Sequence, residues 1–493
     1  MVEKLGMKIA MVSPEILPFA KTGGLADVVG TLSGALAHNG HEVTLIMPCY
    51  RAVLQSDRAL EDAGMTFSVP LAGRQEEASV LRARGHGKAS VYFIRADRYF
   101  DRPFLYGTPE GDYSDNAERF VFFSRAALEI LRHEPADLLH CHDWQSAPAI
   151  VFLKTQPERY AEIYATKSVL TVHNLGFQGI FAPPQWPLLD LDWSFFTPQF
   201  LEFYGNINFL KGAMIFTDKI TTVSPSYARE IMDPEQGFGL EGVLHDRRAD
   251  VVGILNGVDY SQWNPEVDPF IAKHYSARNL TPKQSCKKVL QRAFGLPQSK
   301  APLLGMVSRL TPQKGIDLLG EIFEPLMERD LQWVLLGAGE TRYEEFFTRA
   351  AARYPAKFAV RTGYDEALAH QIEAGADIFL MPSRYEPCGL NQMFSLKYGT
   401  IPIVRAIGGL KDTVKDYDSA ARNGTGFVFV PYDAAALLEA IDRAAQLYRD
   451  KRHWTALRRR AMAKDFSWDR SAQMYDELYR QLVDSRSETP RAS

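Results

Sequence analysis

Residues 377–414, DIFLMPSRYEPCGLNQMFSLKYGTIPIVRAIGGLKDTV, pack a strand, a turn, a helix and a second strand into one short run. Ile378–Met381 is continuously apolar, as strands buried on both faces of a parallel sheet are. Pro382 and Ser383 end it. Leu390, Met393, Phe394, Leu396 and Tyr398 then fall at helical spacing, and Gly399 stands where a helix C-terminus favours glycine. A second apolar run, 401–404, follows at once. The spacing predicts a βαβ unit with a right-handed crossover, and hence an α/β chain built on parallel sheet.

Ligands of open α/β sheets bind beyond the carboxyl ends of the strands, which directs attention to the turn after Met381. Glu386 lies in that turn. Cys388, Gly389 and Leu390 offer backbone N–H groups at a helix N-terminus, where aligned peptide dipoles favour an anion. Gly408 and Gly409 open a further helix in the same way. Two helix N-termini at adjacent strand ends suit a diphosphate, whereas a carboxylate beside them suits sugar hydroxyls. Taken alone, a glutamate such as Glu386 near a helix start usually reads as a solvated cap.

Four other segments carry polar groups at strand ends. In the first, a strand over 7–12 leads through KTGGLAD into a helix near Gly24. Lys21 sits beside that helix N-terminus, which is unfavourable unless an anion compensates it. The glycines do not form G-x-G-x-x-G, so a nicotinamide cofactor is a poor fit. In the second, LLHCHD places His140 and His142 on one face of a strand, followed by Asp143. A metal site and internal hydrogen bonding are the two readings of such a cluster. Third, His173 directly follows the apolar strand 169–172. Fourth, APLLGMVSRLTPQKGIDLL repeats the strand, basic loop and helix of the first half. There Thr311 is placed to cap the helix, Pro312 suits its first position, and Lys314 falls in the first turn. A bound anion flanked by Arg309 would resolve that charge conflict; exposed surface charge is the plain alternative. Asn256, Gly257 and Asp259 form a turn signal, and Gly363 and Tyr364 end a strand. Tyr113, Asp115, Asn116, Arg119 and Phe120 precede a helix expected over 122–131. Near the end, Trp468, Ala472, Tyr475, Leu478, Tyr479 and Leu482 make the apolar stripe of a helix over 468–483.

The 493 residues are 46% hydrophobic and 24% charged, enough to bury substantial cores in two large or three smaller domains. A net charge of −4 gives no basis for a nucleic-acid or membrane partner. Cys49, Cys141, Cys286 and Cys388 form no C-x-x-C pair and read as reduced thiols. The N-terminal apolar run is too short for a signal peptide, and no run approaches the roughly 18 residues of a membrane helix. A cytoplasmic protein is expected.

In order along the chain, K-T-G-G-L-A-D, Y-x-D-N-x-x-R-F, H-x-H-D-W, V-H-N-L, S-R-x-x-x-Q-K-G and the turn around Glu386 resemble the bacterial glycogen synthases and plant starch synthases. These are retaining glycosyltransferases of the GT-B type. Many relatives in the wider class carry a second glutamate two helical turns after the first; Phe394 stands there, as expected of the glycogen and starch synthase branch. The resemblance implies an α/β fold of two facing Rossmann-like domains with an interdomain cleft. It implies an acceptor-side domain over 1–250, a donor-side domain over 251–465, a helix over 466–484 that crosses back to the first domain, and a disordered tail over 485–493. It further implies transfer of glucose from ADP-glucose to the non-reducing end of an α-1,4-glucan or maltooligosaccharide, with retention and with no metal or other cofactor.

Site roles come from the same resemblance. Lys21, Gly23 and Gly24 would contact the donor phosphates, with Asp27 near the sugar or acceptor. Asp143 lines the acceptor side, His173 lies against the donor glucose, and Asn256 contacts donor or acceptor. Arg309 and Lys314 clamp the diphosphate, Tyr364 stacks near the base, Glu386 positions glucose, and Cys388, Gly389 and Leu390 hold the donor. A double displacement needs two carboxylates about 5 Å apart, and no second one is evident beside Glu386. Front-face attack by the acceptor hydroxyl is therefore favoured. A nucleotide-sugar epimerase of the same fold and an inactive glucan-binding protein remain as alternatives.

Overall fold

A computed structural model describes residues 6–108 and 110–484; the tail expected over 485–493 lies outside the described residues. The chain divides into two compact units. One comprises everything up to Val223, then Ala228–Gly257, and the chain from Trp468 onward; the other comprises Ser224–Tyr227 and Val258–Ser467.

The first unit is organised by a nine-stranded sheet. Its strands are β1 (Lys8–Val12), β2 (Glu42–Pro48), β3 (Glu61–Leu71), β4 (Arg74–Arg84), β5 (Ser90–Arg95), β6 (Leu138–His142), β7 (Lys167–Val172), β8 (Lys219–Thr222) and β9 (Val251–Gly253). They lie in the order β9-β8-β7-β6-β1-β2-β5-β4-β3. All neighbours are parallel except β5-β4 and β4-β3, which add an antiparallel hairpin at one edge. All of β6 is buried, as a strand covered on both faces must be. β9 pairs with β8, so the boundary expected after residue 250 is corrected to follow Gly257: a strand belongs to the sheet whose hydrogen bonds it completes.

Two helices of this unit show how the sequence sets local structure. The helix Asn116–His133 starts earlier than the apolar pattern predicts, because Asn116 and Arg119 serve a loop. Arg119 is fully buried and donates to the Tyr99 and Leu105 carbonyls and to Asn116 Oδ1. The helix Trp468–Asp484 buries the stripe legible in its sequence and packs on the helix Gly24–His38. His41 Nε2 meets Asp476 at 2.7 Å, and Tyr479 meets His140 Nδ1 at 2.7 Å.

The second unit holds a six-stranded sheet, parallel throughout. Its strands are β10 (Leu303–Val307), β11 (Gln332–Gly337), β12 (Phe358–Thr362), β13 (Ile378–Met381), β14 (Ile401–Arg405) and β15 (Phe427–Phe429), in the order β12-β11-β10-β13-β14-β15. The predicted βαβ unit is present: the helix Asn391–Tyr398 joins β13 to β14 and closes on Gly399, whose φ of 62° is the left-handed value glycine tolerates. No helix among the described residues is long and apolar enough to cross a membrane.

Candidate active site

Each sheet reverses its strand order once beside its first strand, between β1 and β6 and between β10 and β13. Such switch points open a crevice at the carboxyl ends of the flanking strands, where loops part to opposite faces. Most of the polar groups singled out in the sequence gather at or beside these two places.

In the first unit the loop after β1 carries Glu15, Lys21 and Gly23, and the loop after β6 carries Asp143. Glu15 is only 4% exposed and accepts from the Thr22 backbone and hydroxyl and, at 2.6 Å, from the Tyr106 hydroxyl. Sequence reasoning missed this carboxylate; an acidic residue within an otherwise apolar loop at a strand end was the available signal. Lys21 Nζ lies 2.8 Å from Asp27 Oδ1. Asp27 stands in the first turn of Gly24–His38, so it both favours the helix dipole and answers the lysine charge that the sequence left uncompensated. Gly23 holds the N-cap in extended backbone with no side-chain cap, and a Cβ there would meet nothing within 4 Å.

Asp143 adopts a φ of 57°, which is costly for a residue with a side chain. Its Oδ1 accepts the His173 backbone N–H at 2.7 Å, tying the ends of β6 and β7 together. Burial pushes its pKa up to about 7; the N–H groups of His173 and Asn174 oppose that rise, and the nearby Glu15 carboxylate adds to it. His173 Nε2 lies 3.0 Å from His142 Nδ1, and His140 Nε2 lies 2.6 Å from Thr171 Oγ1. Burial depresses all three imidazoles, His140 and His173 to about 3, so they are neutral at physiological pH. Asn256, in the loop after β9, is buried with Oδ1 lacking a hydrogen-bond partner.

In the second unit, Lys314 Nζ donates to Glu386 Oε2 at 2.6 Å, and Ser383 Oγ donates to the same oxygen at 2.9 Å. Glu386 is 5% exposed. The expected helix start at Thr311 is corrected. Pro312–Lys314 forms a single tight turn, Gly315 takes a φ of 75°, and the helix begins at Ile316. Thr311 makes no cap bond. Lys314 therefore lies ahead of the helix, and the carboxylate of Glu386, rather than a helix dipole, sets its environment. Arg309 is exposed and donates to Gln313 Oε1 at 3.2 Å.

Glycines let these loops approach closely. A Cβ on Gly315 would strike the Pro382 carbonyl, and one on Gly408, at φ 46°, would strike the Glu386 carbonyl. Gly409 N–H donates to the carbonyls of Glu386 and Pro387, each at 3.2 Å. Cys388 is buried, Gly389 has a φ of 71°, and Leu390 is the N-cap of Asn391–Tyr398. The Asn391 amide donates to the Val307 carbonyl at 2.9 Å, which pins this helix to the end of β10. Tyr364 stands apart: it is 69% exposed at the end of edge strand β12, two strands and about 10 Å from β10.

Two Rossmann-like units, each with charged and glycine-rich loops at its switch point, define the class of GT-B glycosyltransferases. A model of the starch synthase catalytic domain matches residues 8–246, and one of group 1 glycosyl transferases matches 288–460. The chain belongs to the glycogen and starch synthase family and is a glucosyltransferase. It is 48% identical to a glycogen synthase of Koribacter versatilis, over 98% of this chain and all of the relative. Identity to glycogen synthase 2 of Geobacter sulfurreducens is 45%, over 97% of this chain and all of that protein. Among solved structures, the catalytic domain of starch synthase IV from Arabidopsis thaliana, bound to ADP and acarbose, is 34% identical with a TM-score of 0.90, covering 97% of this chain and all of that one. A sucrose-phosphate synthase from Thermosynechococcus elongatus, 18% identical with a TM-score of 0.61 over 97% of this chain and all of that one, shares the fold.

Proposed function

We propose that the donor is ADP-glucose, the acceptor the non-reducing end of an α-1,4-glucan, and the outcome retention at the anomeric carbon. The observation that carries this reading is the Lys314–Glu386 ion pair at the switch point of the second sheet. Breaking the glycosidic bond leaves negative charge on a diphosphate, and a lysine already held at a strand end is preorganised to receive it. Arg309, exposed on the same loop, adds the second cation. Once Lys314 turns to phosphate, Glu386 keeps Ser383 as a donor and its other oxygen is available to sugar hydroxyls. The amides around Gly389 and Leu390 supply the helix N-terminus that complements the anion.

The residues of the first unit take the remaining roles. Lys21 exchanges Asp27 for donor phosphate, with Gly23 and Gly24 allowing close backbone approach. Asp143 and His173, fixed to one another, hold the acceptor and donor sugars, and Asn256 Oδ1 accepts from a sugar hydroxyl. Tyr364 offers an exposed ring to the base, and Cys388 shapes the turn. His173 is a neutral imidazole and so orients rather than protonates. The acceptor proton passes to the leaving phosphate. Support for an adenine donor comes from the ADP-bound starch synthase relative.

Offering ADP-glucose and UDP-glucose separately with maltoheptaose tests the donor. Elongation is expected to favour ADP-glucose at least tenfold in kcat/KM; equal or better use of UDP-glucose would reverse the assignment.

A further inference from the structure

Three imidazoles cluster at the ends of β6 and β7, and the transfer proposed above uses only His173. His140 and His142 are both fully buried, with ring centroids 4.1 Å apart. Both nitrogens of His140 are engaged, Nδ1 with the Tyr479 hydroxyl and Nε2 with Thr171 Oγ1, so it can only pack its ring against His142. Thr171 Oγ1 is held in turn by Thr221 Oγ1 at 2.5 Å. Ser146 grips the His142 backbone: its hydroxyl accepts the His142 N–H at 2.7 Å and donates to the His142 carbonyl at 2.8 Å. Among the described residues the His142 ring therefore meets one polar partner, His173 Nε2, 3.0 Å from its Nδ1. Its Nε2 is enclosed with no partner.

That orphaned nitrogen decides where the protons of the pair sit. A neutral imidazole carries one N–H, and burial keeps both rings neutral. If His173 were to donate, the single proton of His142 would sit on Nε2, an N–H sealed away from every acceptor. His173 Nδ1 would then be a bare acceptor. If His142 donates instead, its Nε2 keeps only a lone pair, and His173 carries its proton on Nδ1. Buried N–H groups without an acceptor are rarer in folded proteins than under-satisfied acceptors, because each keeps the full cost of lost hydration. The second arrangement is therefore the one the burial of His142 selects. His173 is half-buried, and its Nδ1 makes no hydrogen bond among the described residues, so this N–H is left for a ligand.

We propose that His142 is a positioning residue for glucosyl transfer: by donating from Nδ1 it fixes the proton of His173 on Nδ1 and so makes His173 a hydrogen-bond donor toward the glucose of the nucleotide sugar. The inference rests on the placement of His173 beside that sugar given above. His140, locked by Tyr479 and Thr171, backs the His142 ring and keeps it from turning its other nitrogen to His173. A tautomer chosen in this way is set before substrate arrives, so no proton has to move on binding.

Nitrogen-15 NMR of the full chain, labelled in its 11 histidines, tests the assignment, with His173 identified by the signals lost in His173→Asn. Protonated and bare ring nitrogens differ in chemical shift, so the tautomer is read directly. Wild-type His173 should carry its proton on Nδ1. His142→Leu removes the partner; it should shift the proton toward Nε2 and lower kcat/KM for ADP-glucose about tenfold, the loss of one hydrogen bond. His142→Asn, whose amide N–H can replace the Nδ1–H, should return the wild-type tautomer and most of the rate. A proton on Nε2 of wild-type His173 would overturn the proposal whether or not either variant folds. An unshifted tautomer in His142→Leu would overturn it too, as would equal kinetic loss in the two variants. A wild type that transfers no glucose, yet shows the Nδ1 proton and its shift in His142→Leu, would instead sink the transferase reading and leave the tautomer assigned.

Discussion

Lys314 and Glu386 are held together by a short ion pair within a nearly dry turn, so each residue carries a structural role beside the chemical one proposed for it. The two roles separate by mutation. Lys314→Met leaves the Glu386 carboxylate buried without its cation, which lowers stability by about 3 kcal/mol, and it removes charge from the departing diphosphate, lowering kcat by about a hundredfold. Adding Glu386→Gln should restore most of the melting temperature and none of the kcat; recovery of activity in the double variant would show that the lysine matters only as a partner. Asp143 makes a second residue-scale prediction. Its folded pKa, about 7, lies above the ordinary carboxyl value, so its contribution to stability is complete below about pH 4 and is lost as pH rises through 7. Urea titrations of Asp143→Asn should show that falling limb between pH 4 and 7 removed, a change of a few kcal/mol at roughly 1.4 kcal/mol per pKa unit, while transfer is lost. An identical pH dependence in wild type and variant would contradict this assignment. Most of the candidate residues were legible because they stand in the loops that follow strand ends. Their pairings were not: Lys314 and Glu386 are 72 residues apart, and His142 and His173 are 31 apart, so contact is decided by tertiary structure alone.

At the scale of elements, the loops depend on glycines that admit neighbouring backbone. Gly408→Ala would press a methyl group against the Glu386 carbonyl in a left-handed conformation, and Gly315→Ala would do the same at Pro382. Each should lower the melting temperature and cut kcat severalfold or more by moving Glu386 or Lys314; unchanged kinetics in Gly408→Ala would show that the close approach is incidental. The terminal helix makes a separate prediction. Tyr479→Phe removes the partner of the buried His140 Nδ1 and should cost about 1–3 kcal/mol in urea unfolding. The βαβ unit and the terminal helix were readable because their apolar residues keep a clear period. The edge hairpin β3-β4 escaped notice because its outer positions are charged and half exposed, leaving no continuous apolar run to mark it. The helix expected to start at Thr311 failed for another reason: the positive φ of Gly315 ends the first turn, and a sequence pattern cannot distinguish one tight turn from a helix start.

For the whole molecule, the work proposed for the charged loops together is the transfer of glucose onto a glucan. An epimerase would alter the sugar of the donor without an acceptor, and an inactive binder would leave the donor intact. The most direct measurement is proton NMR of ADP-glucose incubated with the enzyme, with and without maltoheptaose. The predicted result is one new α-1,4 linkage for each ADP released, only when the acceptor is present. Donor consumption without acceptor, or a new β linkage, would contradict it.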